Sequence, residues 1–204
     1  MKKNNKILSQ GNYDGHCLHY AIMNAFKALS EPDSTAYSFA FKSKTKWQKI
    51  IALTPSLQNF SSGYGSEFGI NTLNAANKIL ENLMCSYFEA ISEKTKSFYR
   101  VQKLTIDDID QFNYKDSVLI FCLKDKAETK HYSNVDHWIC CVGQDNKSLH
   151  LACSHVLFEI DNNYAEHSSI SSGSRFYNNS IEFSQIQDRT IYKDQIYQIT
   201  KNML

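Results

Sequence analysis

Several things are scarce or missing in this 204-residue chain, and each absence narrows the reading. No apolar run approaches the roughly 18 residues of a membrane helix. The basic start (Lys2, Lys3, Lys6) has no apolar stretch behind it, so it reads as a solvated terminus and not as a secretory signal peptide. The net charge is only +1, which excludes a general attraction to nucleic acid or to an anionic membrane. None of the six cysteines (17, 85, 122, 140, 141 and 153) forms a CxxC pair, which argues against a zinc site or a disulfide framework and for a reducing compartment. Cys85, Cys122, Cys140, Cys141 and Cys153 lie in apolar, strand-like surroundings, where free cysteine acts as a small hydrophobe. No ligand cluster calls for a metal or an organic cofactor. Proline is nearly absent (Pro32 and Pro55), and there is no internal repeat or clear domain boundary.

What is present is enough apolar material, 42% hydrophobic and 13% aromatic, for one sizeable core, so residues 1–204 are read as a single domain. Leu18, Ala21, Ile22, Ala25, Phe26 and Leu29 recur at helical spacing and predict a buried helix over about 17–30, with Pro32 just beyond its end. Trp47 to Leu53 suggest a short helix stopped before Pro55. Residues 60–70 read as a loop, and Asn71 as the cap of a second amphipathic helix over about 71–83. Residues 85–91 fit either strand or continued helix. Strands are expected at 98–104 and 117–123, with a capped helical turn at 105–109 between them. Residues 137–143 and 148–153 flank the turn Gln144–Lys147 as a hairpin, and Val156 to Ile160 suggest a further strand. The serine- and asparagine-rich stretch 161–180 reads as a long mobile loop, followed by short β-like runs at 181–186 and 190–199.

Cys17 stands apart from the other cysteines. It follows the polar turn Asp14-Gly15-His16 and opens the first helix. A thiolate is favoured at a helix N-terminus by the free backbone N–H groups and the helix dipole. The same N–H groups, with those of the turn containing Gly15 and His16, can face the oxyanion of a tetrahedral intermediate. A cysteine nucleophile needs a histidine to take its proton and later protonate the leaving group. His16 and His19 are too close in sequence to face the thiol in the usual way. His150 lies within a strand, His155 just after it, and His167 in the serine-rich stretch. His137 is preferred, because it starts an apolar strand that would hold its ring rigidly; His131, in the preceding polar loop, is the alternative base. A hairpin turn centred between Asp145 and Asn146 would put Ser154 opposite His137, as a third residue that could orient the imidazole. Asp14 is the other candidate for orienting or polarising the site.

The block Asp14-Gly15-His16-Cys17-Leu18 with Ala21-Ile22 resembles the nucleophile motif of the ovarian-tumour (OTU) cysteine deubiquitinases. Tyr64-Gly65-Ser66-Glu67, leading to Leu73, Ala75 and Ala76, is similar to that family's aromatic-Gly-x-acid segment. Its histidine–aromatic block occurs twice, as His131-Tyr132-Ser133 and as His137-Trp138, both without the acid two residues on. The resemblance covers about residues 10–143. It implies a papain-like α/β (α+β) fold, a mainly antiparallel sheet packed against helices that include the nucleophile helix. It also implies a Cys17 thiolate attacking the isopeptide carbonyl that follows ubiquitin's C-terminal glycine, with Asp14 in the oxyanion loop. Ubiquitin or polyubiquitin chains are the implied partners, and neither nucleic acid nor a membrane is. Residues from about 156 to 204 would extend the sheet or form a ubiquitin-binding surface. With the Asn-, Lys- and Ser-rich composition, the resemblance suggests a secreted bacterial effector acting in the host cytoplasm. The rival readings keep the fold but change the reaction, to glutamine deamidation, acyl transfer or peptide cleavage, or make the chain a non-catalytic ubiquitin-binding module.

Overall fold

The structure is a computed structural model that describes residues 6–9, 16–55, 57, 73–92, 97–131, 136–155, 166–170 and 173–203. Four α-helices occur among them: α1 (Cys17–Ser30), α2 (Ala36–Lys42), α3 (Lys44–Leu53) and α4 (Leu73–Ser92). The strands are β1 (Ser97–Lys103), β2 (Ser117–Leu123), β3 (His137–Gln144), β4 (Ser148–Ala152), β5 (Glu166–Ile170), β6 (Gly173–Tyr177), β7 (Asn179–Glu182) and β8 (Ile191–Met203). Six strands form one antiparallel sheet in the order β1-β8-β2-β3-β4-β7, and β5 and β6 pair as a separate ribbon. No helix among the described residues is long and apolar enough to cross a membrane.

Alternation along the central strands divides the core in two. Val118, Ile120 and Cys122 of β2, with Trp138, Cys140 and Val142 of β3, pack with Leu18, Ile22 and Phe26 of α1 and with α4 on the near face. Leu119, Phe121 and Leu123, with Ile139 and Cys141, turn to the far face, where Tyr114, Leu151 and Ile196 meet them. A strand covered on both faces reads as an unbroken apolar run, which is why SVLIFCL was legible as it stands. On α1, Leu18, Ala21, Ile22, Ala25 and Leu29 fall on one stripe. Leu18 and Ile22 are fully buried, each contributing roughly 1.5–3 kcal/mol of apolar burial. The helix ends where Lys27 Nζ donates to the carbonyls of Glu31 and Pro32.

Several expectations match the structure closely. The turn at 105–109 is a short 3₁₀ helix with a reciprocal Thr105–Asp108 capping box, and α3 stops before Pro55. Other elements differ. Of the two readings of 85–91 the continued helix holds, so α4 runs on to Ser92, past the expected end at 83, and Cys85 sits exposed on it. The N-terminal segment is not wholly solvated. Ile7 and Leu8 are buried, and Asn24 clamps Leu8 by accepting its N–H and donating to its carbonyl, at 2.9 and 3.0 Å.

The predicted mobile loop contains β5, β6 and the start of β7. Polar anchors hold the ribbon where an apolar pattern is missing. Buried Arg175 donates to the carbonyls of Ser117 at 2.6 Å and Lys115 at 3.1 Å, and buried Ser168 bonds to His150 at 2.7 Å. β8 lies between β1 and β2, so it is an interior strand of the sheet and does not merely extend its edge. Asn71, Tyr64–Glu67 and the strand expected at 156–160 lie outside the described residues.

Candidate functional site

Cys17 is the first residue of α1, half-buried, with His16 as the residue before the helix. Helix α1 crosses β3 and β2. This brings Cys17 to the corner where β2 ends and β3 begins. Cys122 of β2 lies within electrostatic reach of both Cys17 and Asp136, and the backbone N–H of His137 donates to its sulfur. Burial, then those two neighbours, hold the Cys122 thiol well above its usual pKa, so it stays protonated at neutral pH. Asp136 is fixed by two hydrogen bonds, accepting from Tyr192 Oη at 2.7 Å and from the backbone N–H of Asp125 at 3.0 Å.

His137 therefore starts its strand beside the Cys17 corner, but its ring is turned away. It pairs with Leu123 and shares the parity of Ile139 and Cys141, which face the far side of the sheet. Its Nε2 lies 3.6 Å from Cys153 Sγ, and its ring centroid 5.5 Å from that of His155. Burial, and then the neighbouring His155, lower its pKa to about 3, so the ring is neutral at physiological pH.

The hairpin register differs from the one expected. Cys140 pairs with Ala152 and Cys141 with Leu151, then a bulge beside Val142 shifts the pairing to Gly143 with His150. The turn is centred one residue later than expected, between Asn146 and Lys147, which moves the facing partner by two positions, and the bulge, an extra residue on β3, takes one of the two back. Continued past β4, the Cys140–Ala152 register brings position 155, and not Ser154, opposite His137. The His137–His155 ring contact agrees with that. Ser154 is buried in the turn that follows β4.

His131 lies elsewhere. Its backbone N–H donates to Asn179 Oδ1 at 3.1 Å, at edge strand β7 on the other side of β4 from β3. Burial and Lys130 lower its pKa, opposed by Glu166. Asp14 and Gly15 lie outside the described residues. The side chain of His16 points inward, its Nδ1 3.2 Å from Nδ1 of His19. Its carbonyl accepts the Tyr20 N–H that opens the helix.

Sequence reasoning passed over Asp136, Cys122 and Tyr192. The only signal for Asp136 is its place immediately before His137; the other two reach the corner through strand pairing. It also passed over a second histidine cluster. His150 Nε2 lies 3.2 Å from Asp145 Oδ2, its Nδ1 2.7 Å from Ser168 Oγ, and its ring stacks on Tyr177 at 4.0 Å. Burial raises the Asp145 carboxyl, but hydrogen bonds from Lys147 N–H, His150 and Ser148 N–H outweigh it and bring the pKa down to about 2. Among the described residues, no group of three or more histidine, cysteine or acidic side chains is placed to hold a metal ion. No protein-family model matches the chain, and no curated protein sequence matches it.

Proposed function

We propose that the chain is a papain-like cysteine isopeptidase that releases ubiquitin from substrates or from polyubiquitin chains. The observation that carries this is the placing of Cys17. It is the first residue of a buried helix that crosses the central strands of an antiparallel sheet, at the corner where the strand bearing His137 begins. The motif from Asp14 to Ile22, similar to the nucleophile segment of ovarian-tumour deubiquitinases, supports the choice of substrate. In this reading the Cys17 thiol gives its proton to a histidine, and its sulfur bonds to the carbonyl carbon of ubiquitin's last glycine. The lysine amine leaves with the proton returned by the same histidine, and water then hydrolyses the thioester. The candidate bases in this reading are His137, whose strand begins beside Cys17 and whose ring has to turn from Cys153 to reach it, and His131 as the alternative; Asp14 belongs to the oxyanion turn. The setting proposed for this activity is a host cell entered by a bacterial effector.

The packing of the His137 ring against Cys153 and His155 favours a second reading, a non-catalytic ubiquitin-binding module on the same scaffold. One experiment separates the two. The protein is incubated with ubiquitin carrying a C-terminal electrophile, beside Cys17→Ala, His131→Ala and His137→Ala. Labelling of the wild type that disappears in Cys17→Ala is the expected result, and the histidine variant that abolishes labelling or chain cleavage names the base. A folded wild type that binds ubiquitin but is never labelled supports the module, and one that does neither sinks both readings.

A further inference from the structure

Beneath the start of α1 lies a buried polar cluster whose hydrogens can be assigned from geometry. Thr54 Oγ1 lies 2.9 Å from the carbonyl of Ile50, and a carbonyl only accepts, so the single hydroxyl proton of Thr54 goes there. Thr54 Oγ1 then has only lone pairs for its other two neighbours, His19 Nε2 at 2.8 Å and Tyr87 Oη at 2.7 Å. Tyr87 Oη also lies 3.3 Å from His19 Nε2, but the nearer Thr54 Oγ1 accepts its hydrogen bond, and His19 Nε2 then donates to Thr54 as well. Tyr87 keeps its proton, because burial raises its pKa to about 12. His19 is fully buried, and burial, then the proximity of His16, lowers its pKa to about 3. A neutral imidazole carries one N–H. With that proton on Nε2, the Nδ1 of His19 is an acceptor, and the His16 Nδ1 that approaches it at 3.2 Å must be the donor.

We propose that His16 is a positioning residue of the Cys17 site, its ring locked with the proton on Nδ1 by a buried relay through His19 to Thr54 and Tyr87. The proposal rests on the reading of Cys17 as the nucleophile. His16 is bonded directly to Cys17 and precedes the first turn of α1, while Thr54 caps the end of α3 and Tyr87 belongs to α4. The relay thus ties the backbone next to the thiol to two helices that follow it in the chain.

The test begins with nitrogen NMR of the whole chain labelled with ¹⁵N-histidine, in which the two ring nitrogens of each tautomer have distinct shifts. The expected result at pH 7.5 is His19 neutral with its proton on Nε2 and His16 with a proton on Nδ1. A proton on Nδ1 of His19 overturns the inference. The second arm measures the rate at which iodoacetamide alkylates Cys17, read by peptide mapping. Thr54→Val removes the acceptor, so His19 exchanges tautomers, the His16 shifts move, and alkylation changes roughly fivefold, the size of one net hydrogen bond. Thr54→Ser restores both readouts, and Tyr87→Phe, which keeps the His19–Thr54 bond, leaves the tautomers as they were. Unchanged alkylation in a folded Thr54→Val protein sinks the positioning role. If that variant does not fold, the wild-type spectrum and Tyr87→Phe still decide. Neither arm uses ubiquitin, so a silent ubiquitin probe beside the expected spectra counts against the proposed function alone.

Discussion

Asp145, His150 and Ser168 are hydrogen-bonded in the order of a hydrolase triad, with the two ring nitrogens exchanged. Cys17 lies near histidines whose rings are engaged elsewhere, His19 with Thr54 and His137 with Cys153. Connectivity alone would pick the first cluster as the active one. Access favours the second as the candidate site, because Ser168 is 0% exposed whereas Cys17 is half-buried at the start of a helix. Asp145–His150–Ser168 is better understood as a clamp. It joins the polar ribbon of β5 and β6 to β4, helped by the stacking of His150 on Tyr177 and by the reach of Arg175 to the strand ends. A buried hydroxyl that satisfies a buried imidazole avoids the cost of leaving either unbonded.

The sharpest way to break this comparison is to remove each candidate nucleophile. Cys17→Ala should abolish labelling by a ubiquitin electrophile, and Ser168→Ala should leave it unchanged in gel-shift assays. Loss of labelling in a folded Ser168→Ala protein would reverse the assignment.

Acid comes next. His19 and His137 have folded pKa values of about 3, below the ordinary 6.5. The unfolded chain therefore binds more protons between those limits, and stability falls as pH drops below about 6.5. The slope should reach about 1.4 kcal/mol per pH unit for each ring. Urea midpoints measured from pH 7 to pH 5 should fall, and His19→Gln should flatten the fall. For the exposed Asp145 the depressed pKa acts in a lower window. Its contribution is intact above pH 4 and is lost only as pH falls toward 2.

The smallest effect is expected from His150→Ala. It leaves Ser168 without its imidazole partner and should cost about 2 kcal/mol by urea unfolding. The alkylation rate of Cys17 should not change. A change there would mean that the two clusters are coupled and not independent.

How much of this was legible beforehand depends on whether a residue's role is set along the chain or across it. The buried strand 117–123, helix α1 and the capped turn at 105–109 each carry their signal locally, in periodicity or in a capping pair. The strands β5 and β6 read as a loop in the sequence because they are held by Arg175 and Ser168, and such anchors have no period to detect. Cys17 was visible as a helix-start cysteine. The orientation of His137 was not, because the centre of the turn and a bulge beside Val142 together decide what faces it, and neither is set by the residues around His137.

By itself, then, the sequence determined a helix with a cysteine at its head, a central apolar strand and the hairpin beside it, because amphipathic spacing and turn chemistry act within a few residues. Only the tertiary structure decided which way each histidine ring turns, that β8 inserts between β1 and β2, and that His19, Thr54 and Tyr87 meet beneath His16. Those outcomes depend on side chains far apart in sequence whose donors and acceptors must all be satisfied once water is excluded.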